Sequence, residues 1–211
     1  MKTLKNVIAI ILLMSAVSAP AIAKDLYILV DVSASNPLLL DKAFNKRSAM
    51  FTVQKISQLE QYDTVKLQTF GSLQNAENFE QKTLKVSRHN HKKISAAVAA
   101  YLLSLPEKVA PQGSTNVLAW FNRNALDCSK VKHSILIITD GIEASEYVNP
   151  NHLLSGKQSL PAPNEFVNVR GCDVFMFGVG VGRLDSETMR LRKAWSQYFE
   201  QAGATFSSVS L

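Results

Sequence analysis

Short apolar runs alternate along this chain with segments of helical periodicity. The strongest run, at residues 134–139, holds four consecutive aliphatic residues, which is typical of a strand buried on both faces of a sheet. Strands that alternate with helices predict a mostly parallel sheet with helices on both faces. The pattern continues from residue 24 to the end, so we expect one doubly wound α/β domain at residues 24–211.

Six strands are predicted from apolar runs and from alternation of apolar with polar residues. The third is short and polar, so we expect it at an exposed edge of the sheet. The six predicted strands are residues 25–30, 64–70, 82–86, 134–139, 172–179 and 205–210.

Four helices are predicted between these strands, and proline and glycine suggest where they end. We expect Pro106 to end the second helix, Asp185 to cap the last and Gly203 to follow it. Residues 144–170 contain several prolines and glycines, which indicates a long irregular connection. The predicted helices cover residues 40–61, 91–105, 116–127 and a segment from Asp185. The apolar face of the first comprises Leu40, Ala43, Met50 and Val53, and that of the second comprises Ile94, Ala97, Val98, Tyr101 and Leu102. The apolar face of the last comprises Leu191, Trp195, Tyr198 and Ala202.

The first 23 residues are organised like a signal peptide. Lys2 and Lys5 precede an apolar run at residues 7–17, and the small-x-small box Ala21-Ile22-Ala23 follows it. The run is shorter than the roughly 20 residues that span a bilayer. We therefore expect a mature protein that begins at Lys24, is periplasmic or secreted, and keeps no stable membrane anchor. The alternative is an uncleaved N-terminal anchor.

The cysteine count agrees with export. Cys128 and Cys172 are the two cysteines of the chain, and an oxidising compartment favours a disulfide between them over two buried thiols. The bridge would span 44 positions and stabilise the fold by about 3–4 kcal/mol in the chain-entropy model.

The positive charge of the chain first suggests a polyanionic partner. However, Lys2 and Lys5 belong to the signal segment, and without them the formal net charge falls from +6 to +4. The remaining excess clusters at residues 82–93, around His89-Asn90-His91. A strip of this size indicates a solvated surface, so we expect no nucleic-acid partner.

Oxygen-bearing side chains follow two of the predicted strands. Asp31, Ser33 and Ser35 recur with period two, which places them on one side of an extended chain. Thr115 lies in a loop before a helix, and Asp140 closes the strongest strand. Two carboxylates and three hydroxyls suit a hard cation such as Mg²⁺. With so few formal charges around the ion, an acidic group of a partner could complete its shell.

These residues resemble the metal-ion-dependent adhesion site of the von Willebrand factor type A domain. The family has an Asp-x-Ser-x-Ser motif after strand one, a Thr before a helix and an Asp after strand four. The matching set is Asp31, Ser33, Ser35, Thr115 and Asp140. Further similarity to the family's strands four and five and to its last helix and strand extends the resemblance over about residues 25–211.

The resemblance implies a six-stranded sheet of order 3-2-1-4-5-6 with one short antiparallel edge strand. Strands one and four are then neighbours at a topological switch point, where ligands bind in such sheets. The family pattern also implies that the two serines and the threonine touch the metal, while the aspartates act partly through water. In this order Cys128 and Cys172 lie at the opposite end of the sheet.

The function implied is binding. We expect an exported module that holds Mg²⁺ or Mn²⁺, binds an acidic residue of a protein partner and is not an enzyme. One alternative is a metal-independent scaffold in a cell-envelope, secretion or conjugation assembly. Another is a metal-dependent hydrolase, which the lack of a base near the site disfavours. The connection at residues 143–168 leaves the metal face after Asp140 and is equally a partner surface or a tolerated insertion.

The glycines at the end of the fifth predicted strand do not indicate a nucleotide site. Gly178, Gly180 and Gly182 lack the spacing of the dinucleotide fingerprint, and the chain ends too soon after them. Packing at a strand end and a turn explain them.

Overall fold

A computed structural model describes residues 23–209 except 125, 127, 164–166 and 168. The predicted signal segment, apart from Ala23, lies outside the described residues. In the described part, no helix is both long enough and apolar enough to cross a membrane. The strands are β1 (Asp25–Asp31), β2 (Thr64–Phe70), β3 (Lys82–Lys85), β4 (Ser134–Ile138), β5 (Asp173–Phe177) and β6 (Thr205–Val209), and the helices are α1 (Lys42–Ile56), α2 (His91–Lys108), α3 (Val117–Arg123), α4 (Pro150–Ser155) and α5 (Asp185–Gln201).

The strands form one sheet in the order β3-β2-β1-β4-β5-β6. Only the edge pair of β2 and β3 is antiparallel among the described pairs. The predicted fold class and strand order are therefore confirmed. Because β1 and β4 are parallel neighbours, with Val30 beside Ile138, the segments after both strands leave from the same edge of the sheet.

Two buried layers of side chains hold the helices to the sheet. One layer lies under α1 and α2 and includes Phe44 and Val98, while the other includes Phe121 of α3 and Trp195 of α5. The residues of β1 alternate between the two layers, with Ile28 in the first and Leu29 in the second. This explains why central strands read as continuous apolar runs.

The buried face of α1 is mixed, since Phe44, Ala49 and Ile56 share it with polar residues, and the predicted apolar face is wrong. Leu40 precedes the helix and is 72% exposed, and Met50 is 63% exposed. Asn45, Ser48 and Thr52 are buried instead. The two hydroxyls donate to backbone carbonyls one turn earlier, and such pairing removes most of the cost of burying them.

Pro106 does not end α2, which continues to Lys108. Proline has no N–H to donate to the carbonyl four residues earlier, which belongs to Leu102. The side chain of Asn45 donates to that carbonyl from α1 at 2.9 Å, and to the carbonyl of Leu38 at 3.1 Å. A buried amide from another helix thus replaces the bond that proline removes.

Other differences from the predicted elements lie at their ends. Leu184 is the N-cap of α5 and Asp185 its first residue, while Gly203 follows the helix in the left-handed region, with φ of 81°. Helix α3 is shorter than the predicted 116–127. Residues 144–170 are not wholly irregular, because they contain α4, which Asn149 caps through its side chain.

The predicted disulfide is present. Cys128 and Cys172 are bonded, with Cα atoms 5.0 Å apart. Cys172 immediately precedes β5, so the bridge lies at the amino end of the parallel strands. It joins the segment that leads into β4 to the segment that leads into β5, far from the edge where β1 and β4 end.

Candidate metal centre

Three loops meet beyond the carboxyl ends of β1 and β4, and backbone hydrogen bonds join them. Ala34 donates to Gln112 at 2.8 Å, and Gln112 donates to Val32 at 2.9 Å. Thr115 and Ala144 exchange bonds of 3.0 and 3.1 Å. The loop after β1, the loop before α3 and the loop after β4 are therefore held together independently of any side chain.

Asp31 is completely buried at the end of β1. One carboxylate oxygen, Oδ1, accepts from the backbone amide of Ser33 at 2.8 Å. The other, Oδ2, accepts from the hydroxyl of Thr139 at 2.7 Å. Asn36 donates to the carbonyl of Asp31 at 2.6 Å. These bonds fix the carboxylate in one orientation toward the neighbouring strand.

The loop after β4 fixes Asp140 beside it. Oδ1 of Asp140 accepts from the amide of Ile142 at 3.0 Å, and the carbonyl of Asp140 accepts from Gly180 at 2.8 Å. Gly141 has φ of 78°, a conformation that glycine adopts without strain. Its carbonyl accepts from the indole of Trp195 at 2.8 Å, so α5 holds this turn in place.

The five predicted site residues lie at this meeting of loops. Ser33, Thr115 and Asp140 are at most 2% exposed, and Asp31 is fully buried. The hydroxyls of Ser33 and Ser35 are 3.3 Å apart. Ser35 is the one exposed member of the set, so the group is open to solvent on its side.

Several buried oxygens near this point make no hydrogen bond within the described part of the chain. They are the hydroxyl of Thr115, Oδ2 of Asp140 and Oε1 of Glu143. Leaving such a group without a partner costs about 1–3 kcal/mol, and more when it is charged. Unpartnered buried oxygens on two of the predicted ligands are the arrangement expected of a site that a cation completes.

Burial raises the pKa of each acidic group at this site, and repulsion between the carboxylates adds to the effect for Asp31 and Glu143. Burial, together with the nearby charge of Asp140, raises the pKa of Asp31 to about 7. Burial also raises the pKa of Asp140, although the Ile142 amide, the nearby hydroxyl of Ser35 and the charge of Arg183 oppose this. Burial raises the pKa of Glu143 to about 8. A bound cation would reverse this effect, because it favours the ionised carboxylates.

An open cleft of ≈ 290 Å³ lies beside the site. Ser33, Ser35 and Thr115 line it together with Arg183, which is exposed. Apolar side chains also line it, including Leu154 of α4. The cleft thus combines oxygen ligands, a cationic group and an apolar wall.

Sequence reasoning missed three residues of this arrangement. Thr139 orients Asp31, and its position directly before Asp140 was the available signal. Glu143 is buried, and its Oε2 accepts from the amide of Val117 at 3.0 Å, which ties the loop after β4 to the start of α3. For Glu143 and Arg183 the sequence offered no signal, because only the folded chain brings them to the site.

The donor set suits a hard cation. Within the described residues, no group of three or more His, Cys, Asp and Glu side chains could hold a metal ion, so a site here must include hydroxyl ligands. Hydroxyl and carboxylate oxygens are what Mg²⁺ and Mn²⁺ accept. The buried hydroxyl of Thr115 and Oδ2 of Asp140 have no hydrogen-bond partner among the described residues, and the residues present therefore fit the ion.

Comparisons with known proteins give structural neighbours but no sequence relatives. No protein-family model and no curated protein matches the chain. An aerotolerance-related membrane protein from Bacteroides fragilis is 19% identical with a TM-score of 0.48, and the match covers 89% of this chain and 92% of that one. Manganese-loaded TRAP protein of Plasmodium vivax is 16% identical, with a TM-score of 0.46 and coverage of 89% and 68%. A von Willebrand factor type A protein from Catenulispora acidiphila is 13% identical, with a TM-score of 0.46 and coverage of 90% and 39%.

Proposed function

We propose that this protein is an exported binding module that holds Mg²⁺ or Mn²⁺ and uses it to bind an acidic residue of a protein partner. The ligands are Asp31, Ser33, Ser35, Thr115 and Asp140. The bound ion supplies a positive charge with a coordination position open to an anion. The role is binding without catalysis, in the periplasm or outside the cell.

The observation that carries the proposal is that Thr115 and Asp140 have buried side-chain oxygens available to a ligand. Each presents a buried oxygen without a hydrogen-bond partner in the described chain, at a point where several buried carboxylates have raised pKa values. A cation at this point would relieve both costs at once, because it accepts the free lone pairs and neutralises the carboxylates.

The cleft supports an acidic partner. Arg183 adds a positive charge at its edge, and Ser35 leaves the ligand set open to solvent. An incoming carboxylate would meet the guanidinium as well as the ion, and a charge-assisted contact of this kind is stronger than a neutral one. The apolar wall at Leu154 favours an apolar side chain next to the partner's acidic group.

Calorimetric titration with Mg²⁺ and with Mn²⁺ tests the metal site. We expect saturable binding by the wild-type protein and its loss in Asp140→Asn, since that variant removes the charge and one ligand oxygen. Asp173→Asn is the matched control, because Asp173 lies at the opposite end of the sheet and pairs with Lys132 on the surface. Absence of divalent binding by the wild type, or equal loss in both variants, would contradict the proposal.

Capture of partners from a cell-envelope extract tests whether the protein binds a partner through the metal ion. We expect a protein that is retained with Mg²⁺ and released by a chelator, and that Asp140→Asn does not retain. A partner retained equally with chelator would favour the metal-independent scaffold. Turnover of phosphoester or ester substrates by the purified protein, lost in Asp140→Asn, would contradict a role in binding alone.

A further inference from the structure

Lys24, the expected first residue of the mature protein, is held through its backbone. Its amide nitrogen donates to Oδ1 of Asp63 at 2.8 Å. Its carbonyl accepts from the amide of Thr64 at 2.9 Å. Both polar backbone groups of Lys24 therefore bind the segment that leads into β2, one residue before β1 begins at Asp25.

Asp63 is a buried carboxylate that forms no ion pair with another described residue. It is 5% exposed, and its second oxygen accepts from the amide of Glu60 at 2.8 Å. The side chain of Lys24, although it is close in sequence to the bond at the expected cleavage point, does not form an ion pair with Asp63. Two backbone amides are thus the donors to this carboxylate in the described chain, and a positively charged donor would strengthen such a hydrogen bond.

We infer that signal-peptide cleavage supplies that positive group, by converting the nitrogen of Lys24 from an amide into an α-ammonium bound to Asp63. In the cleavage step, a peptidase adds water across the bond between Ala23 and Lys24. Ala23 leaves with a carboxylate, and Lys24 keeps its nitrogen, which gains two protons. The N–H of Lys24 already donates to the carboxylate of Asp63, so the new positive charge forms within hydrogen-bond distance of that carboxylate.

The geometry gives this pair a structural role. A charge-assisted hydrogen bond is roughly twice as strong as a neutral one. The ammonium would fasten the first residue of the mature chain to the start of β2, and β1 and β2 pair from Asp25 and Thr64 onward. Asp63 therefore binds the new N-terminus of the chain, and the charge-assisted hydrogen bond between them forms only after cleavage. It is independent of the metal centre, which lies at the other end of β1.

Four proteins test the inference. They begin either at Lys24 or at Ala23, each with Asp63 intact or as Asp63→Asn, and the N-termini are produced by a protease that leaves no extra residue. The Ala23 form is the matched control, because it keeps the same N–H on Asp63 but as a neutral amide. We expect the Lys24 form to have a folded-to-unfolded ratio about fivefold higher in urea unfolding. This advantage should disappear in the Asp63→Asn pair.

A second measurement does not depend on the variant. An amine-selective acylating reagent modifies a free α-amine, and we expect the N-terminal amine of the Lys24 form to react several-fold more slowly than that of the Ala23 form. Equal reactivity of the two amines, equal stability of the two forms, or an advantage that survives Asp63→Asn would each overturn the inference. Mass spectrometry of the exported protein should give Lys24 as its first residue, and a different first residue would overturn it as well.

Discussion

At the scale of single residues, two threonines near the candidate metal centre differ in what their hydroxyls do. Thr115 is buried, and its hydroxyl has no partner in the described chain. Thr139 donates to Asp31 and accepts from the amide of Gly141 at 3.0 Å. The first hydroxyl is available to a ligand, whereas the second already stabilises the fold.

Thr115→Val should therefore separate metal binding from folding. We expect the stability of the metal-free protein to stay within about 0.5 kcal/mol of wild type or to rise, because an unsatisfied buried hydroxyl is removed. Affinity for Mg²⁺ should fall at least about tenfold, which corresponds to about 1.4 kcal/mol. Urea unfolding with chelator and calorimetry with Mg²⁺ measure the two effects.

The counterpart Thr139→Val should behave differently. It breaks the bond to Asp31, so we expect the metal-free protein to lose about 1–3 kcal/mol of stability. If Thr115→Val destabilised the metal-free protein as much as Thr139→Val, the hydroxyl of Thr115 would have a structural partner after all.

The pKa of Asp31, raised to about 7 by burial and by Asp140, predicts how metal binding depends on pH. A cation binds the ionised carboxylate, so protons compete with it below pH about 7. We expect the affinity for Mg²⁺ to increase from pH 5.5 to about 7.5 and then to level off. The increase should approach tenfold per pH unit where one proton is released. Calorimetry across this range measures it, and an affinity independent of pH would contradict the prediction.

Sequence patterns identified the five candidate ligands but not the residues that orient them. Asp31, Ser33 and Ser35 follow one another with a period that puts them together locally, so their proximity could be predicted. Glu143 and Arg183 reach the site only through the path of the loops after β4 and β5. No local spacing encodes that path.

At the scale of elements, α1 and α2 show where helical periodicity fails as a guide. The predicted face of α1 was chosen by apolar residues, yet Asn45 and Ser48 are buried because backbone carbonyls accept their hydrogen bonds. Pro106 was expected to end α2, yet the carbonyl that it leaves free binds Asn45. Asn45 contributes to both errors, and its contact between two helices cannot be seen in either helix alone.

Asn45→Ala should destabilise the protein by about 1–3 kcal/mol, because it leaves the buried carbonyl of Leu102 without a donor. In a Pro106→Ala background the new amide at position 106 can donate to that carbonyl. There we expect Asn45→Ala to cost less, by about 1 kcal/mol. Urea unfolding of the four proteins of this cycle gives the difference.

Lys46→Ala, on the exposed face of α1, serves as a control and should change stability by less than about 0.5 kcal/mol. Equal costs of Asn45→Ala with proline and with alanine at position 106 would show that Asn45 does not compensate for the proline.

At the scale of the whole molecule, the alternation of strands and helices predicted the α/β class, and the even cysteine count in an expected oxidising compartment predicted the disulfide. The sheet order was implied by the resemblance to the von Willebrand factor type A domain, because strand and helix patterns alone narrow the arrangements without selecting one. The two ends of the sheet have separate tasks. The disulfide joins segments at the amino ends of the strands, while the candidate ligands gather at the carboxyl ends.

Removal of the disulfide should therefore leave metal binding intact. We expect the double variant Cys128→Ser and Cys172→Ser to lose about 3–4 kcal/mol of stability, as the chain-entropy model gives for a loop of this length. Its affinity for Mg²⁺, measured where it is still folded, should stay within about twofold of wild type. A larger change would show that the two ends of the sheet are coupled.

The metal-free protein should also lose stability as the pH rises from about 4 to about 7. The folded pKa of Asp31, about 7, lies above its ordinary value of 3.8, so the folded state binds more protons than the unfolded state between these limits. Stability must fall with pH wherever that is true. Urea unfolding with chelator measures the trend, and saturating Mg²⁺ should abolish or reverse it.

The hydrogen bonds that join the three loops have a consequence for the protein's lifetime. The proposed ligands come from distant parts of the chain, so a partly folded chain cannot assemble them, and an ion would bind only the finished fold. At a free concentration one hundred times its Kd, such a ligand adds about 2.7 kcal/mol to folding and reduces the unfolded population about a hundredfold. In the proposed location outside the cytoplasm, where proteases degrade chains that open, the supply of divalent ions around the cell would then set how long each molecule survives.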